Sequence, residues 1–225
     1  MIKFDQVTKS YPGAGNALEN LSFEIDRGEM VFLTGHSGAG KSTLLKLIAL
    51  IERPTHGQII VDGRNVRHMP MRDVPKHRRE IGVVFQDNKL LTDRSAFDNV
   101  ALPLKIAGLN DRDIARRVRA SLDQVGLLKK ERKTPLALST GEQQRVGIAR
   151  AIVARPQIVI ADEPTGNLDP WLSLEIMKLF SRFNEIGVTL LIATHDHDLI
   201  SRLNGRRIHL KDGQVVESED EALVF

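Results

Sequence analysis

The sequence predicts an α/β protein on a mostly parallel sheet, with an antiparallel β part near its N-terminus and an inserted helical block. Three observations carry that expectation. Short apolar runs of strand length alternate with helical periodicity, which implies parallel strands covered by helices on both faces. A glycine-rich loop joins one buried-type strand to an apolar helix. From about Asp98 to Ala154 the apolar residues recur only at helical spacing. With 225 residues, 41% hydrophobic and 27% charged, the chain can bury a substantial core. A single domain over 1–225 is expected, with an α/β core from 1–88 and 155–225 and a helical subdomain from 89–154.

Ile2, Phe4 and Val7 alternate with polar residues, as do Leu21, Phe23 and Ile25, and the turn formers Pro12, Gly13 and Gly15 lie between them. That pattern predicts two antiparallel strands. Met30 to Thr34 reads as a buried strand and Lys41 to Ile51 as an apolar helix. Gly57 to Asp62 and Ile81 to Phe85 read as further strands, the second stopping at Gln86. In the helical block, Ile114, Val118, Leu122 and Val125 share one helix face. Strand character returns at Ile158 to Ala161 and Val188 to Ala193, with a helix from about Trp171 to Asn184 between them. Trp171 is expected to pack that helix rather than touch a ligand. Arg207 to Leu210 opens a last hairpin that turns at Asp212 and Gly213, and the acidic stretch Glu217 to Glu221 is expected to be a frayed terminus.

The 32 lysines and arginines exceed the 29 acids by three, too small an excess for a polycationic face, so no nucleic acid is expected as a partner. Lys76 to Arg79 and the arginines at 112, 116, 117 and 119 are expected to coat solvated helix faces. Without cysteine there is no disulfide and no thiolate metal site, in keeping with a reducing compartment. The N-terminus lacks a signal-peptide pattern and no stretch approaches the roughly 18 apolar residues of a membrane span. Work at a membrane would therefore require a partner.

The chemistry is concentrated in a few motifs. Gly35-His36-Ser37-Gly38-Ala39-Gly40-Lys41-Ser42 has the glycines, lysine and hydroxyl of a phosphate-binding loop, and Thr43 follows. Its strand-loop-helix context directs backbone N–H groups and a helix N-terminus at bound phosphate. Lys41 brings a positive charge to the β and γ phosphates, and the Ser42 hydroxyl is a ligand for Mg²⁺. His36 is expected to present only its backbone. ATP and Mg²⁺ are thus the expected ligands. Ile158-Val159-Ile160-Ala161-Asp162-Glu163 is a buried strand ending in two acids. Such a strand delivers Asp162 to the metal at the carboxyl edge of the sheet and places Glu163 to take a proton from the attacking water.

Between these motifs lies Leu138-Ser139-Thr140-Gly141-Glu142-Gln143-Gln144-Arg145. With it the chain resembles the ABC ATPases, from Phe4 to about Gly213. The resemblance implies a RecA-like P-loop NTPase core and a head-to-tail homodimer enclosing two ATP molecules, the signature loop of one copy completing the site of the other. Ser139, the Gly141 backbone and the helix N-terminus behind them would offer donors to the γ-phosphate. The resemblance also implies that Tyr11 stacks on adenine and that Gln86 senses Mg²⁺, water and a membrane partner. Asp169, in Gly166-Asn167-Leu168-Asp169, would communicate across the dimer, and His195 would contact the γ-phosphate. Glu163, His195, Lys41 and Gln86 are then the catalytic set, and Ser42, Gln86 and Asp162 the metal ligands. Thr140 departs from the family pattern, which has glycine there; a positive φ at that position would disfavour a β-branched residue and weaken the half-site.

Within the family, GHSGAGKSTLLKLIALIERPTHGQI, FQDNKLLTDRSAFDNVALPLKIAG, GEQQRVGIARAIV and ADEPTGNLD are similar to the bacterial cell-division branch. That branch implies an integral membrane partner, residence at the cytoplasmic face of the inner membrane, and ATP-driven signalling to cell-wall hydrolases. ADEPTGNLD is shared with ATPases of lipoprotein release and efflux, the alternative function. A soluble ATPase acting on nucleic acid or ribosomes is the further alternative, although such relatives usually carry two ATPase halves or a long coiled-coil insertion and neither is present here.

Overall fold

A computed structural model describes the chain except for Ala14, Asn167 and residues 217–225, so the acidic stretch Glu217 to Glu221 lies outside the described residues. The chain opens with β1 (Ile2–Tyr11) and β2 (Gly15–Ile25), an antiparallel pair longer than the apolar alternation suggested. Ile2, Phe4 and Val7 are buried, but pairing continues to Tyr11 opposite Gly15 through half-exposed residues that carry no pattern. A register shift between Phe4 and Val7, where Gln6 takes a φ of 48°, breaks the alternation.

Every residue of β3 (Met30–Thr34) is buried, as befits a central strand covered on both faces. α1 follows as Lys41–Ile48 and stops short of the expected Ile51. Leu50 adopts a left-handed φ of 52°, and the Ile51 N–H donates back to Lys46 O at 2.9 Å, which closes the helix. β4 (His56–Val61) and β5 (Arg64–Asn65) join β1 and β2 in a four-stranded antiparallel sheet of order β2-β1-β4-β5.

Next comes a helix that periodicity did not reveal, α2 (Val74–Arg79). It corrects the expectation that Lys76 to Arg79 only coat a solvated face. His77 is fully buried, its Nε2 2.7 Å from Ile48 O, and Arg78 donates to Leu50 O at 2.7 Å. Both satisfy carbonyls that α1 leaves open at its C-terminus. Burial pushes the His77 imidazole below its ordinary value of 6.5. The folded protein therefore holds the neutral ring, while the unfolded chain takes up a proton as pH falls through the ordinary value. Stability tied to His77 is full at neutral pH and is lost on acidification, by at most about 1.4 kcal/mol per pH unit. Thermal melts from about pH 7.5 to 5 should show this fall, and His77→Gln should flatten part of it. An unchanged slope in the variant would clear His77 as its source.

After β6 (Ile81–Val84) the described chain is helical up to Ile152: α3 (Ala96–Ile106), α4 (Asp111–Gln124) and α5 (Thr140–Ile152). Val100, Leu104, Ile114, Val118, Leu122 and Val146 bury one face of each helix together. Arg112, Arg116 and Arg119 lie on the exposed face of α4, two of them paired with Asp113 and Glu131. Then come β7 (Ile158–Asp162), α6 (Pro170–Glu185), β8 (Thr189–Ala193), the short α7 (His197–Ser201), β9 (Arg206–Lys211) and β10 (Gln214–Val216). Trp171 does not pack α6 as expected. It sits in the first turn with 71% of its surface exposed, while Ile176, Met177 and Phe180 make the buried face.

The second sheet has the order β10-β9-β3-β8-β7-β6, parallel except for the β9–β10 hairpin. Its register aligns the strand ends, with Leu33 beside Ala193, Asp162 beside Ala193, and Val84 beside Ala161. The loops leaving β3, β6, β7 and β8 thus emerge together at one carboxyl edge. No helix among the described residues is long and apolar enough to cross a membrane.

Candidate functional site

The phosphate-loop pattern folds as a loop because three of its residues must be glycine-like and its interior must be backbone. Gly40 caps α1 with a φ of 103°, and a Cβ there would lie 2.5 Å from Leu18 Cδ2 and 2.6 Å from Ala17 O. A Cβ on Gly35 would lie 2.2 Å from Leu210 O. β2 and β9 therefore press the loop into shape from outside. No side chain caps α1, so its first N–H groups remain directed into the loop. Lys41 is 8% exposed, and its Nζ donates to Gly35 O at 2.6 Å and His36 O at 3.1 Å. The loop thus stores a buried positive charge at its centre. His36 does more than present its backbone: its ring contacts Ser37 O at 2.7 Å and Asp212 in the β9–β10 turn at 3.3 Å.

β7 brings the two acids to the same edge. Burial, opposed by a Ser42 hydrogen bond and reinforced by the charge of Glu163, pushes the Asp162 carboxyl above the ordinary carboxylate range. A carboxylate that is costly to leave desolvated, beside a hydroxyl, suits a hard cation with oxygen ligands. Glu163 leaves the strand in a left-handed conformation, φ 45°, unusual for this residue type. Its side chain is 13% exposed and Oε2 lies 2.9 Å from His195 Nδ1. His195, just past β8, is 70% exposed on the cleft side of that contact.

A cleft of about 540 Å³ unites these groups: residues 35–38 and 40–43 with Gln86, Asp162, Glu163 and His195 line it. Ala17 and Gly166 also line it and were assigned no contact by sequence reasoning. Neither carries a reactive group, so only the strand pairing and loop path that bring them there could have revealed them. Oxygen donors for a metal are present in Ser42, Asp162 and Gln86, and no cluster of three His, Cys, Asp or Glu side chains exists among the described residues.

Other expected residues stand apart from the cleft. Tyr11 is half-buried at the end of β1, with Lys9 Nζ 4.8 Å from its ring centroid. Ser139 caps α5 in a reciprocal capping box, its hydroxyl accepting from Glu142 N at 3.3 Å and its own N–H donating to Glu142 at 3.1 Å. Gly141 is buried at the second position of α5, where a Cβ would lie 2.1 Å from Leu172 Cδ2. Asp169 caps α6 by accepting from Leu172 N at 3.0 Å. Thr140 is the first residue of α5 and is not among the residues with positive φ, so the strain foreseen there does not arise.

A family model described as ABC transporter matches residues 18–166. The chain is 56% identical over 215 residues to the cell division ATP-binding protein FtsE of Escherichia coli strain K12, covering 96% of this chain and 97% of that protein. FtsE of Bacillus subtilis strain 168 is 46% identical over 219 residues, 97% of this chain and 96% of the relative. Among solved structures, the dimeric ATP-binding cassette MJ0796 in a post-hydrolysis state bound to ADP and Pi superposes with a TM-score of 0.89, at 37% identity over 96% of each chain. Family match, relatives and fold agree with the phosphate loop and acidic strand end, and the chain belongs to the ABC transporter family as one of its ATPases.

Proposed function

We propose that this chain is the Mg²⁺-dependent ATPase subunit of a bacterial cell-division complex, held at the cytoplasmic face of the inner membrane by an integral subunit resembling FtsX. The observation that carries the ATPase chemistry is the meeting of Lys41, Ser42, Gln86, Asp162, Glu163 and His195 in one cleft. The identity to FtsE proteins carries the division role. The chain acts as one domain over 1–225, with the α/β parts at 1–88 and 155–225 and the helical subdomain with the signature loop at 89–154.

In this reading the N–H groups from Gly35 to Thr43 and the Lys41 ammonium bind the β and γ phosphates. Ser42, Asp162 and Gln86 hold Mg²⁺, which would neutralise charge on the bound phosphates. Glu163 accepts a proton from the water that attacks the γ-phosphate, and His195, touching Glu163, donates to the γ-phosphate oxygen. Tyr11 stacks on adenine. Ser139 and the Gly141 backbone serve the site of a second copy, so hydrolysis requires a head-to-tail homodimer enclosing two ATP molecules. The dimeric state of the similar cassette MJ0796 supports this, as does the position of Ser139 and Gly141 outside their own chain's cleft.

The membrane subunit takes an apolar groove of about 670 Å³ that includes Phe85, next to Gln86, and the exposed Ile51 and Ile106. Closure of the dimer on ATP then reaches cell-wall hydrolases through that subunit. Pull-down of the tagged chain from detergent-solubilised membranes should recover a four-span membrane protein, and loss of the chain should give filamentous cells. Blocked lipoprotein release or efflux without filamentation would overturn the division role in favour of an exporter.

Thr140 begins α5 in helical geometry, so restoring glycine there relieves no strain. Thr140→Gly is expected to leave ATPase turnover within about tenfold of native, whereas a gain of a hundredfold, about 2.7 kcal/mol in barrier, would show that threonine impairs the half-site.

A further inference from the structure

We infer that Lys9 is a positioning residue for the adenine subsite, locking the Tyr11 ring at a fixed distance from the phosphate loop. The inference rests on the reading of Tyr11 as the base-stacking residue and adds a residue to which no role has been given. Lys9 Nζ lies 4.8 Å from the Tyr11 ring centroid, within cation–π range. The same ammonium pairs with Glu52 Oε2 at 2.9 Å, and the Lys9 side chain is only 12% exposed. Glu52 is in turn tied to the last turn of α1, its N–H donating to Lys46 O at 3.2 Å.

Two further bonds fasten this segment to β1: Thr55 N–H to Thr8 O at 2.9 Å, and Ser10 N–H to Thr55 Oγ1 at 3.1 Å. The helix that begins at Lys41, in the phosphate loop, therefore ends in a segment that holds Lys9, and Lys9 holds Tyr11. Tyr11 stands at the open end of the β1–β2 pair, and its direct partner there is Gly15, which has no side chain to steady it. Lys9 Nζ stands over one face of the ring, and a purine would stack on the other. An ordered ring gives up less rotamer freedom when the base stacks on it.

The test is calorimetric titration of the full chain with Mg²⁺ and either ATP or inorganic tripolyphosphate, which lacks the base. Lys9→Met should weaken ATP by about two- to thirtyfold, the range of a partly buried cation–π contact. It should leave tripolyphosphate within about twofold, and Lys9→Arg should restore ATP because a guanidinium both pairs with Glu52 and stacks on the ring. Two results overturn the inference while leaving Tyr11 in place: Tyr11→Ala weakening ATP when Lys9→Met does not, or Lys9→Met weakening both ligands equally. Retention of native ATP affinity by Tyr11→Ala would overturn the adenine reading itself, and this inference with it.

Discussion

Glu163→Gln is expected to lower kcat by about 10²- to 10⁴-fold while ATP still binds, because the amide keeps the shape of the side chain but cannot take a proton from water. That range corresponds to about 3 to 5 kcal/mol in barrier. The surroundings argue for loss of chemistry without loss of binding. Glu163 touches His195 at 2.9 Å, a contact a glutamine oxygen can keep, and none of the three proposed metal ligands is altered. Removing the Glu163 charge also takes away one of the effects, secondary to burial, that push the Asp162 carboxyl up. Asp162 should then ionise more readily and hold Mg²⁺ at least as well. With hydrolysis blocked, the ATP-bound dimer should accumulate and be visible by size-exclusion chromatography with light scattering. Turnover within about tenfold of native would remove Glu163 from the role of general base.

Gly40→Ala should do the reverse and abolish tight nucleotide binding. A residue with a Cβ pays about 1 to 2 kcal/mol to hold a left-handed conformation such as the φ of 103° at Gly40. The larger effect is steric. The new methyl would sit 2.5 Å from Leu18 Cδ2 and 2.6 Å from Ala17 O, and the second of these is backbone rather than the far end of a flexible side chain. The loop must shift instead, at the residue immediately before Lys41 and at the cap of α1, so the ammonium and the helix N–H groups lose their common focus together. ATP affinity is expected to fall by more than about a hundredfold, equivalent to some 2.7 kcal/mol, with a smaller loss of thermal stability. Titration with ATP checks it; a loss below about tenfold would mean that the loop absorbs the methyl without moving Lys41.

The division between what the residues announce and what folding adds can be followed element by element. Met30–Thr34, buried throughout, and the glycine loop with Lys41 and Ser42 were legible because covalent order alone makes strand, loop and helix contiguous. Asp162 and Glu163 were legible for the same reason, closing an apolar strand. α2 was not: six residues give too little periodicity, and its His77 and Arg78 are explained only by the α1 carbonyls they satisfy. The exposure of Trp171 was misjudged because hydrophobic size says nothing about which face of a helix meets the core. The strain anticipated at Thr140 depended on a φ value, and that value is fixed by the Ser139–Glu142 capping box that starts α5.

The α/β class, the phosphate loop, the acidic strand end and, through the signature motif, the family are readable along the chain, since each is a pattern carried by neighbouring residues. Folding alone brings loops from four separate strands to one edge, sets Glu163 against His195 across 32 positions of chain, and makes Lys9 a bridge between Glu52 and Tyr11. Those contacts depend on strand order and register, which long-range packing selects and no local run of residues encodes.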